Sequence, residues 1–176
     1  METKEWLAKA LKIEKEEIKR LFEEETSRNF FLVWTVFERI NFDKFVKLEK
    51  IKEFSKKDFE IDNELEEILK KFHLRYQDEK LRKNLCYKNK CNNKECNIFS
   101  ECEFYILCNK EYKDIEKDEK IYFLTYIVYR YRNNMFHGNK GLESWLQFEE
   151  QIKDCITVMK KLTVLPDKKD GEENEE

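Results

Sequence analysis

Turn-forming residues are scarce in this chain: it has three glycines and one proline among 176 residues. That scarcity leaves little from which to build hairpins or bulges and excludes a sheet-rich fold. No run approaches the roughly 18 apolar residues that a bilayer-crossing helix needs. The N-terminus is charged and has no continuous apolar stretch, so no signal peptide is expected and the chain is expected to be cytoplasmic. An excess of one charge is also missing. With 35 basic and 38 acidic residues the net charge is −3, which excludes a strong nonspecific grip on a polyanion, so any such contact has to come from a local patch. The last seven residues, Asp170 to Glu176, carry five acids, and the rest of the chain is at +2.

What is present is helix-forming. Charged residues make up 41% and hydrophobic residues 40% of the chain, and Lys, Glu and Leu are abundant. Fourteen Phe, eight Tyr and three Trp predict a bulky aromatic core. The expected fold is all-α: an up-and-down bundle of about five to six helices in one domain over residues 1–165. A Cys-rich insertion is expected at about 84–110, and residues 166–176 read as a disordered acidic tail. Apolar residues at helical spacing predict one helix from Glu5 to Glu25. Residues 30–40 are apolar on almost every side and read as a central buried helix, followed by a shorter one from Asp43 to Phe54. Asp62 is placed to cap a helix to Lys83, with Leu65, Ile68, Leu69, Phe72 and Tyr76 on its buried side. A strongly apolar helix is expected from Lys120 to Phe136, stopped by Gly138 and Gly141. A last helix from Leu142 to Leu162 should bury Trp145, Phe148, Ile152, Cys155, Ile156 and Met159. His73, Trp34 and Trp145 read as structural.

One segment carries chemistry. The apolar helix turns polar at Arg130 and continues through Arg132, Asn133 and Asn134 to His137 and Lys140. Arg130, Asn133 and His137 share a helix face. Arg132 lies about 140° from His137 in a straight helix, so the two meet only if the helix unwinds near Gly138 or if they come from different subunits. A histidine can take a proton from a ribose 2′-hydroxyl or give one to the leaving 5′-oxygen. An arginine can hold a phosphate and stabilise its growing charge. This chemistry needs no metal and spares DNA, which lacks the 2′-hydroxyl. The same residues also suit a helix C-terminus, where His, Asn and Gly cap and basic groups complement the dipole.

The stretch Arg132, Asn133, Asn134, Met135, Phe136, His137 resembles the motif of the HEPN family, an arginine followed after four to six residues by a histidine, often with a polar residue next to the arginine. Arg130 fits with six intervening residues but is followed by Tyr131, so Arg132 matches better. The helix from Phe31 to Arg39 looks like the early family helix that carries an acid directed at the motif; Glu38 is that acid here. The resemblance spans the helical order of residues 27–162, and only the six-residue motif is sharp. It implies a metal-independent endoribonuclease that acts as a homodimer, with two motifs forming one composite site on RNA. The setting it suggests is toxin–antitoxin or antiphage defence, with an antitoxin or defence-system partner. Arg132, His137 and Asn133 would be catalytic, Arg130 and Lys140 would bind substrate, and Glu38 would orient an arginine. Other members are inactive dimerising or RNA-binding modules, the alternative reading here. Members that pair with a nucleotidyltransferase carry a Tyr two positions after the histidine; this chain has Asn139, which disfavours that route.

Six cysteines in a cytosolic chain read as thiols or metal ligands. Cys86, Cys91, Cys96, Cys102 and Cys108 fall at gaps of four, four, five and five residues; the first two gaps fit the upper edge of zinc-site spacing, and the later two are wider. A structural zinc on Cys86, Cys91, Cys96 and either Cys102 or Cys108 is one expectation; ordinary thiols in an insertion are the other. Lys88, Lys90 and Lys94 with Tyr87 form a small basic-aromatic patch that suits either RNA backbone or solvent.

Overall fold

A computed structural model describes residues 2–11, 14–23, 25–43, 45–86, 102–136 and 147–164. Among these residues the structure is all-α, with no strand. The helices are α1 (Thr3–Leu11), α2 (Lys15–Glu23), α3 (Glu25–Phe42), α4 (Leu48–Ser55), α5 (Asn63–Arg75), α6 (Glu79–Leu85), α7 (Glu103–Asn109), α8 (Lys117–Phe136) and α9 (Glu149–Lys161). A short 3₁₀ turn, Tyr112–Asp114, precedes α8.

The centre of the bundle is α8. Every residue from Ile121 to Val128 is buried, because α4, α7 and α9 pack around it. A helix enclosed on all sides has no use for a polar stripe, and its sequence has none over this stretch. Aromatic rings fill the gaps between helices. Phe104 stacks on Tyr126 at 4.8 Å and on Phe123 at 5.1 Å, and Phe54 meets Phe42 at 4.9 Å and Phe59 at 4.8 Å.

The expected helix from residues 30–40 exists, but it is not the buried centre. α3 packs mainly on α9 and buries Phe30, Trp34 and Phe37 on one stripe. Phe31, Leu32, Val36 and Ile40 face outward, each at least 40% exposed. An apolar run reads as buried all round, yet among the described residues α3 packs along one stripe, mainly on α9.

Local signals explain the remaining boundaries. Asp62 caps α5, accepting from the Leu65 N–H at 2.9 Å, and Asp78 caps α6 in the same way from Leu81 at 2.8 Å. That second cap divides the expected helix from Asp62 to Lys83 in two. The expected helix from Glu5 to Glu25 is likewise divided into α1 and α2. Asp43 ends α3 with φ +46°, a left-handed conformation that aspartate tolerates better than most residues and that a glycine-poor chain must find elsewhere. Part of the expected insertion is core: α7 buries Phe104, Leu107 and Cys108.

Candidate functional site

The last turn of α8 leaves the enclosed core, and Arg132, Asn133, Asn134 and Met135 are all half-buried. Arg132 lies over the Trp34 indole, its guanidinium carbon 5.5 Å from the ring centroid. Its Nη1 donates to Asn133 Oδ1 at 3.0 Å. The Trp34 ring is itself held: Nε1 donates to Glu38 Oε2 at 3.1 Å. The other oxygen, Glu38 Oε1, accepts from the Val46 N–H at 3.2 Å. One carboxylate thus fixes the indole and also ties α3 to the segment entering α4.

These residues surround a recess of about 390 Å³, lined by Trp34, Glu38, Phe45, Val46, Tyr129, Arg132 and Asn133. Glu38, expected from sequence to orient an arginine, is linked to Arg132 through the indole between them. Trp34 is buried at 3% exposure, as a core residue should be, but it is also the arginine's platform. Sequence reasoning missed that second role. The available signal was the spacing of Trp34 and Glu38, four residues apart on one helix face.

The neighbouring motif residues face elsewhere. Arg130 Nε donates to the Leu85 carbonyl at 2.7 Å and so ties α8 to the end of α6. Asn134 and Met135 line a smaller cavity of about 60 Å³ together with Arg75, Asn84, Tyr131 and Phe148. The structure therefore brings Arg132, Asn133 and Glu38 together and sets Arg130 on another side of α8. His137 and Lys140 lie outside the described residues, as do Cys91, Cys96, Trp145 and the patch from Tyr87 to Lys94.

The zinc expectation is corrected. Among the described residues no group of three or more His, Cys, Asp or Glu side chains is arranged to hold a metal ion. The cysteines of the expected set that are described serve other environments: Cys108 is buried in the core on α7, and Cys86 is buried at the end of α6 beside half-buried Cys102. His73 behaves as the structural residue expected, buried with its ring edge-on to Tyr112 at 5.5 Å. Among the described residues, no helix is long and apolar enough to cross a membrane.

No family model, no curated protein and no solved structure matches the chain.

Proposed function

We propose that this chain is a HEPN-like endoribonuclease that cuts RNA by attack of a ribose 2′-hydroxyl, without metal. The observation that carries the reading is the placement of Arg132, which lines a recess with its guanidinium over a braced indole. A guanidinium held this way loses little further freedom when it grips a phosphate, which favours tight and directional binding. Asn133, bonded to it, sets its orientation. His137, which follows Phe136 in the sequence, supplies the proton transfers. Arg130 and Lys140 hold flanking phosphates. A second copy completes the site, and the exposed apolar face of α3 supports such pairing.

The test is cleavage of single-stranded RNA in the presence of EDTA, with analysis of the product ends. The expected products carry 2′,3′-cyclic phosphates. Arg132→Ala should slow cutting about 100- to 1,000-fold, and His137→Ala by about 100-fold or more. Undiminished cutting by both variants would end the proposal.

The outward apolar stripe of α3 also favours a second reading, a noncatalytic module that binds RNA and dimerises. It predicts RNA binding that weakens in Arg132→Ala, with no cleavage by the parent protein.

A further inference from the structure

Outside the recess, two thiols stand together. Cys86 follows the last residue of α6 and its N–H bonds to the Arg82 carbonyl. Cys102 directly precedes α7. Both are unbridged, and each is the largest influence on the other through a thiol–thiol hydrogen bond. Tyr126 of α8 locks the arrangement: its hydroxyl lies 3.9 Å from Cys102 Sγ and donates to the Leu85 carbonyl, one residue before Cys86, at 3.4 Å. Cys86 is buried, whereas Cys102 is half-buried.

The two thiols differ in character. The hydrogen bond from Cys86 pulls the Cys102 thiol down to about 6, aided by the Tyr105 and Phe104 backbone N–H groups and the Tyr126 hydroxyl and opposed by burial. Its partnership with Cys102, together with burial, pushes the Cys86 thiol up. The half-buried residue thus carries the thiol with thiolate character, and the buried residue beside it keeps its thiol proton.

We propose that Cys86 and Cys102 form a peroxide-sensitive modification site, in which Cys102 is oxidised first and Cys86 then closes a disulfide. In the first step the Cys102 sulfur attacks hydrogen peroxide; an S–O bond forms, the O–O bond breaks, and hydroxide leaves as water after taking up a proton. Cys102 is then a sulfenic acid. In the second step Cys86 Sγ attacks Cys102 Sγ; the S–S bond forms, the S–O bond breaks, and the oxygen leaves as water with the Cys86 proton. Two thiols lose two electrons in total, and one peroxide becomes two waters. The new bond clips α6 to α7 at both ends of the chain segment 87–101.

The experiment uses the full reduced chain, treated with hydrogen peroxide and digested without reductant. The expected result is a protein two hydrogens lighter, with the Cys86 and Cys102 peptides joined. Cys86→Ala should accumulate a dimedone adduct at Cys102, and Cys102→Ser should yield no such adduct at Cys86. Before oxidation, iodoacetamide at neutral pH should label Cys102 at least about 10-fold faster than buried Cys108. Bridging of either thiol to Cys91 or Cys96 instead, or no bridge at all, overturns the proposal. The peptide map of the unmutated chain decides the matter even if a variant fails to fold.

Discussion

Arg132 is held by neighbours that hold one another. Its guanidinium lies on Trp34, whose indole N–H is bound by Glu38, whose second oxygen is bound by the Val46 backbone. A chain of this kind predicts coupling between its links. Trp34→Phe keeps a ring beneath the arginine but removes the indole donor, and should cost about 1 kcal/mol in urea unfolding. Glu38→Ala should cost at least as much, because it also frees the Val46 N–H, and the double variant less than the sum of the two, because both remove the bond between the indole and the carboxylate. Strictly additive losses in the cycle would show that the Trp34–Glu38 bond contributes nothing. Little of this was legible beforehand. The sequence presents Trp34 as one more apolar residue in an apolar run, and the arginine that rests on it comes from a helix almost a hundred positions later.

Among the elements, α5 and α8 are joined by a polar clamp. Glu66 on α5 accepts from the Tyr112 hydroxyl at 2.7 Å and pairs with Lys120 on α8 at 3.4 Å. Burial works to raise its carboxyl, but the Tyr112 hydrogen bond and the Lys120 charge together hold it below the ordinary glutamate value of 4.5. A depressed carboxyl stabilises the fold above its unfolded value, and that contribution fades as the pH falls through the folded one. The advantage of the parent over Glu66→Gln should therefore be about 1 kcal/mol near neutrality and shrink in acid below 4.5. Chemical denaturation of both proteins across that range checks it; a difference independent of pH would contradict the assignment. Element by element, sequence was informative where a cap and a period agreed. Asp62 and the buried residues Leu65, Ile68, Leu69, Phe72 and Tyr76 fall where expected, because local chemistry sets both. It was less informative where a neighbour decides the outcome. The Asp78 cap that divides α5 from α6 lies inside an unbroken helical pattern, and the one-sided burial of α3 depends on what else packs there.

At the scale of the whole molecule, the outward stripe of α3 stands out. Phe31, Leu32, Val36 and Ile40 are exposed in a row, and Phe45 nearby is 70% exposed. A water-facing row of this size is unfavourable unless something covers it, and the proposed second copy would do so. Sedimentation should then show a concentration-dependent dimer for the parent. Leu32→Glu with Val36→Glu should shift it to monomer while leaving the thermal midpoint within a few degrees, since neither side chain supports the core. A parent protein that stays monomeric at high concentration would remove the pairing.

The two arginines near the end of α8 add a constraint of their own. Arg130 is committed to the α6 side through Leu85, and Arg132 to the α3 side through Trp34. Two residues along a helix turn it by about 200°, so no small anion can be gripped by both at once. A ligand that uses the pair must straddle the helix tip and present separate negative charges to its opposite flanks. A polymer with phosphates at regular intervals has that shape, and a mononucleotide does not.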